Sequence, residues 1–184
     1  MRKLIPLACA SVASVALLGA TFVGTGRGAD VGMLSVEHGR GSIVLDVRGT
    51  SVLGRLGNGS ITVLDRSPND PYVANVTGKR VVQKRLGSSR VLFRGQGLRY
   101  RMVGGDYRIV VRGTGITLSA VGKGAIWLDG EPRFEGDDTG LYSVEGVDCS
   151  VEAGLCTAIP DEPLRLRLGP TSEKDPVKPG VGSR

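Results

Sequence analysis

Glycine returns every eight or nine residues through the middle of this chain, at Gly39–Gly41, Gly57–Gly59, Gly87, Gly95–Gly97, Gly104–Gly105, Gly113–Gly115, Gly122–Gly124 and Gly130. Between beats lie runs of five to seven residues rich in Val, Ile and Leu. Two beats make a unit of 17 or 18 residues, and a fixed period of that kind predicts a repeat scaffold. The units superimpose well. Val91, Phe93, Gly95, Gly97, Leu98, Tyr100, Met102 and Gly104 recur 18 residues on as Ile109, Val111, Gly113, Gly115, Ile116, Leu118, Ala120 and Gly122. Inside a unit the side chains alternate as strands do: Leu98, Tyr100 and Met102 on one side, Arg99 and Arg101 on the other. No stretch after the amino-terminal segment sustains a 3.6-residue period, so helix is expected to be essentially absent. Glycine makes up 29 of 184 residues without a collagen-like period of three. It is therefore expected to supply positive φ at tight reversals.

Two all-β architectures satisfy this pattern. One is a short β-solenoid whose coils of about 17–18 residues stack equivalent positions about 4.8 Å apart. The other is an antiparallel up-and-down meander or sandwich joined by glycine hairpins. Residue-class identity at 18 rather than nine favours the solenoid, with Arg90 recurring as Arg108 and Arg94 as Arg112. The predicted organisation is a segment over 1–29, a repeat domain over 30–130, an acidic disulfide-bearing cap over 131–168 and a flexible tail over 169–184. The repeat domain carries an insertion near 67–80, where Pro68 and Pro71 interrupt the beat.

Met1-Arg2-Lys3 followed by the charge-free stretch Leu4 to Gly24 has the form of a signal peptide or an uncleaved membrane anchor. Either implies an exported protein, at the cell surface or held on the cytoplasmic membrane facing outward. Cys149 and Cys156 then form an isolated pair in an oxidising compartment, expected as a disulfide closing a small loop.

The units Gly41-Ser42-Ile43-Val44-Leu45 and Gly59-Ser60-Ile61-Thr62-Val63 resemble those of bacterial adhesin-type β-solenoid domains, over roughly residues 36 to 130. The resemblance implies a cell-envelope location and parallel stacking of coils, and it brings no catalytic residues.

Tests for known chemistry leave little. Gly57-Asn58-Gly59 and Gly113-Thr114-Gly115 lead into further strands rather than a helix, so they are not dinucleotide loops. The turns lack the repeated Asp of a calcium roll. His38 is the only histidine and is expected at a surface turn, while Asp137 and Asp138 fit a solvated loop. No catalytic residue, metal site or cofactor is assigned, and the chain is expected not to be an enzyme. A β-helix polysaccharide-active enzyme is the less favoured alternative.

Charge is strongly segregated. From Lys79 to Lys123 there are eleven Lys/Arg and one acid, Asp106; from Asp129 to Glu162 there are ten acids and one base, Arg133. Strand parity places Arg90, Arg94, Arg99, Arg101, Arg108 and Arg112 on outward positions, one outer face in either architecture. Like charges on neighbouring strands repel, so such a ladder calls for neutralisation. The acidic segment could fold back over it, or an anionic envelope polymer or lipid headgroups could cover it. Nucleic acid is disfavoured, because the arginine strands lack outward aromatics for base stacking. The expected role is a non-catalytic structural or binding module of the cell envelope. Self-association of basic and acidic segments is a further possibility, as is membrane contact through residues 4–24 if these are retained.

Overall fold

The structure is a computed structural model that describes residues 31–169; the amino-terminal segment and the tail from residue 170 lie outside the described residues. It is all-β. Six strands form one antiparallel sheet: β1 (Gly32–Asp65), β2 (Asn75–Arg85), β3 (Arg90–Gly130), β4 (Leu141–Ser143), β5 (Thr157–Ala158) and β6 (Leu164–Leu168). A single 3-10 turn at Ala153–Leu155 is the only helical element among the described residues.

β1 and β3 run for 34 and 41 residues. Straight strands of that length would exceed 100 Å, at about 3.3 Å per residue. They bend instead, and the register shows where. Residues 41–48 of β1 pair with both 106–113 and 123–130 of β3, while 51–56 pair with 98–103 and 116–121. The segments thus fall into two lateral series. The first runs 82–85, 90–96, 58–65, 106–113, 41–48, 123–130 and then β6. The second runs 75–77, 98–103, 51–56, 116–121, 32–36, β4 and β5. Each long strand crosses from one series to the other at every glycine beat.

The alternation read from the sequence places the core. Ile43, Leu45, Val47, Ile61, Val63, Ile109 and Val111 from the first series are buried together with Val52, Leu56, Leu98, Met102, Ile116 and Leu118 from the second, in one cluster. A sheet whose two halves bury their apolar sides against each other satisfies the hydrophobic demand that one half alone would leave open. Size matching completes the packing at Gly54, opposite Tyr100. A Cβ on Gly54 would lie 2.3 Å from the Tyr100 ring, so the tyrosine fills the space that glycine vacates. Burial holds the Tyr100 hydroxyl well above the usual phenol range.

Two expectations are corrected. Neighbouring segments are antiparallel and belong to different strands, so parallel stacking of consecutive coils does not occur. The 18-residue repeat returns a strand to the same series two places along, with a segment of the other strand between. Arg90 and Arg108 flank Leu64, and Arg94 and Arg112 flank Ser60. Equivalent positions are thus about 9.5 Å apart, twice the strand spacing. The second correction concerns the glycines within the long strands. Gly95, Gly59, Gly113, Gly41 and Gly130 stand side by side across five segments, so they bend continuous strands rather than close hairpins.

The acidic segment edges this sheet. β4 pairs with Ser35–Glu37 of β1, β5 pairs with β4, and Asp137 lies 3.9 Å from Arg40. β6, in which Leu164, Leu166 and Leu168 alternate with Arg165 and Arg167, pairs with 124–128. Cys149 and Cys156 are joined by a disulfide.

Candidate functional site

All six outward arginines are exposed, as strand parity requires. They do not share one face. Arg90, Arg94, Arg108 and Arg112 project from the first series, and Arg99 and Arg101 from the second.

On the first series, interleaving dilutes the positive charge. One cross-strand row reads Arg94, Ser60, Arg112, Ser42, and the next but one reads Arg90, Leu64, Arg108, Asp46. Two acids at this face, Asp46 and Asp106, are engaged. Asp46 accepts two hydrogen bonds from Arg66, at 2.5 and 2.7 Å, and a longer one from Arg108 at 3.4 Å. Asp106 pairs with Arg48 at 3.0 Å and lies 3.6 Å from Arg66. The single tryptophan, Trp127, is outward and half-buried, with the guanidinium of Arg108 at 5.6 Å and that of Arg165 at 5.4 Å from its ring centre. This is attractive cation–π geometry. The expectation that these strands lack outward aromatics therefore fails at Trp127. Its alternation with buried Ile126 and Leu128 was the available signal. Arg108 is thus held internally by Asp46 and Trp127.

The hydrogen bonds from Arg66, above all, hold the Asp46 carboxyl below its ordinary 3.8; burial opposes them, and the charges of Arg66, Arg108 and Arg48 add to the lowering. A carboxylate with a lowered folded pKa stabilises the fold fully above 3.8, and that stabilisation disappears as pH falls through the folded value. Asp46→Asn should lower stability at pH 7 by about 1 kcal/mol. It should also flatten the acid limb of a pH–denaturation curve below about pH 4. Parallel acid limbs for the two proteins would contradict this.

The second series carries a different arrangement. A groove of about 540 Å³ crosses it, lined by Arg55, Arg99, Arg101, Glu37, Thr117 and Asp148 among others. Two cross-strand rows form its floor: Thr77, Arg99, Arg55, Thr117, then Asn75, Arg101, Leu53, Ser119, Ser35. Here nothing is interleaved between the charges. Arg55 and Arg99 are direct cross-strand partners, and Arg101 is the next outward residue along the strand. Such like-charge neighbours are destabilising. Among the described residues no acid forms an ion pair with Arg55, Arg99 or Arg101. Glu37 at the far wall accepts from the Thr117 hydroxyl at 3.3 Å and lies 3.2 Å from the exposed His38. Asp148 accepts from the backbone N–H and hydroxyl of Ser150.

The acidic segment therefore reaches this groove through Asp148 and Ser150, which form part of its rim. Cys149, between them, is buried and donates its backbone N–H to the Ser35 hydroxyl at 3.1 Å. Arg55 was missed from sequence because it stands before the arginine-rich stretch, and pairing brings it beside Arg99. Among the described residues no group of three or more His, Cys, Asp or Glu is placed to hold a metal ion. No protein-family model, curated protein or solved structure matches this chain.

Proposed function

We propose that this chain is a non-catalytic binding module of the cell envelope whose groove receives an anionic polymer bearing phosphate or carboxylate groups. The observation that carries this reading is the Arg55–Arg99 pair with Arg101 beside it: three guanidiniums on one concave wall, none in an ion pair with an acid of the described residues, while the two acids of the lining, Glu37 and Asp148, bond to other groups. An anion bridging them would relieve the repulsion and accept charge-assisted hydrogen bonds from several planar donors. The hydroxyls of Thr77, Thr117 and Ser119 on the same floor suit the neutral parts of a polymer repeat. Arg99 and Arg101 become the principal contacts among the six arginines. Arg90, Arg94, Arg108 and Arg112 on the other series become secondary.

Export is supported by the basic start and charge-free Leu4–Gly24 stretch, and by a disulfide that suits an oxidising compartment. For the scaffold we infer a wound, solenoid-like arrangement rather than a meander. Its support is the return of each long strand to the same series after 18 residues.

The test is retention of the full chain on immobilised poly(glycerol phosphate) and on polyuronate as a function of salt. Retention should fall with ionic strength, as screened contacts require. Replacing Arg55, Arg99 and Arg101 together by Ser should weaken binding at least about tenfold, since each lost charged hydrogen bond contributes on the order of 1.5 kcal/mol. Replacing Arg90, Arg94 and Arg112 together should change it less than about threefold, as expected for exposed, screened charges. Equal losses from the two triple variants, or none from the first, would sink the groove reading. The preferred polymer separates phosphate from carboxylate.

A further inference from the structure

We propose that the corner of the sheet from which the described chain starts rests on the surface of a lipid bilayer. This stands apart from the groove reading and uses other residues. Twelve large apolar side chains are exposed among the described residues, and half of them gather at this corner: Val31, Met33, Tyr72, Val73, Val103 and Val121. Their exposure runs from 36% at Met33 to 79% at Val73, so this is not the edge of the core showing through.

The register makes them neighbours. Val31 immediately precedes β1, Met33 at its start pairs with Val121, and Ser51 stands between Val121 and Val103. Tyr72 closes the row. Its ring packs over Gly104, beside Val103, where any Cβ would lie 2.5 Å away. An exposed apolar row of this kind, broken by Ser51, marks a place of contact.

The same corner is rimmed by cations. Arg48 and Lys123 are cross-strand partners there, and the Arg48 side chain is 77% exposed. The nearby acids are Asp106, paired with Arg48, Glu145, bridged to Met33, and Asp70, which accepts a hydrogen bond from the Tyr72 N–H at 2.9 Å. An apolar strip with basic residues at its margin matches a headgroup region over hydrocarbon.

The chain outside the described residues says which occupant to expect. Leu4 to Gly24 is free of charge and long enough to cross a hydrocarbon core of about 30 Å. Six residues, Thr25 to Asp30, join it to Val31. Fully extended, they reach about 20 Å. A sheet tethered so closely, and entered at the apolar row itself, presents that row to the membrane.

The experiment uses the full chain with Cys9→Ser, reconstituted in phosphatidylcholine–phosphatidylglycerol vesicles with the Cys149–Cys156 disulfide intact. Single cysteines at Val103→Cys, Val121→Cys and, at the opposite corner, Asn58→Cys carry an environment-sensitive fluorophore. Quenching by nitroxide-bearing lipid should be several-fold stronger at 103 and 121 than at 58, at every protein-to-lipid ratio. Equal quenching at the three positions overturns the proposal. So does shielding at 103 and 121 that grows with protein density, which would assign the strip to a second copy. Loss of the chain from the vesicles also overturns it.

Discussion

Gly113→Ala should cost more than about 4 kcal/mol, in the tail of single-substitution effects, and lower the melting temperature by roughly 15 °C for a domain of this size. Two causes act together. The φ of Gly113 is +143°, where an L side chain is strained. Its added Cβ would also sit 2.0 Å from the carbonyl oxygen of Asn58 and 2.9 Å from the Cα of Gly59. Both obstacles are backbone, in a paired segment at the centre of the sheet, so no side chain can swing aside. The relation is reciprocal, because a Cβ on Gly59 would lie 2.0 Å from the carbonyl oxygen of Arg112. Two other glycines calibrate the effect. Gly97 has φ +55° and nothing within 4 Å of an added methyl group, so Gly97→Ala should cost about 1 kcal/mol of left-handed strain alone. Gly87 has neither a positive φ nor a close neighbour, and its alanine variant should stay within about 0.5 kcal/mol. Thermal denaturation of the three variants checks the order. If Gly113→Ala and Gly97→Ala melt together, close approach of the segments is not what the glycine at 113 serves.

Opening the disulfide should produce the second large loss. Cys149 and Cys156 lie seven positions apart, and the closure entropy of so short a loop corresponds to about 2.5 kcal/mol. Cys149 is also the buried anchor of its segment, since its N–H bonds Ser35 of β1 while Asp148 and Ser150 on either side line the groove. Cys149→Ser with Cys156→Ser should therefore act locally. Amide exchange at residues 149–151 should accelerate strongly while residues 106–113 keep their protection, and polymer retention should fall less than in the Arg55, Arg99 and Arg101 triple variant. Uniform acceleration across the sheet would mean that the loop is integral to the core rather than pinned to its edge.

Which side chains face inward was legible residue by residue. Leu98, Tyr100 and Met102, then Ile109 and Val111, then Ile116 and Leu118, are buried as their alternation predicts. Exposure of the six arginines follows from the same period of two. The neighbours of each arginine were not legible. Arg55 lies 44 positions before Arg99, and the sequence between them holds no sign that they meet. Likewise, Leu64 between Arg90 and Arg108 removes a repulsion that stacked coils would place at adjacent positions. Trp127 was visible as an outward residue on parity alone, but its cation partners are Arg108, 19 positions back on the same long strand, and Arg165, 38 positions on in β6.

The glycine beat and the alternation between beats were enough to establish an all-β chain, the inward and outward sides of its strands and the spacing of its bends. These are local properties: backbone sterics at glycine and the pleat of a strand act within a few residues. Tertiary structure alone decided that β1 and β3 interleave antiparallel, that five of the glycines stand in one row across the sheet and that the arginines divide between two series. Backbone hydrogen bonds are alike for every residue type, so a strand's partner is chosen by the packing of the whole core. That choice put Arg55 beside Arg99.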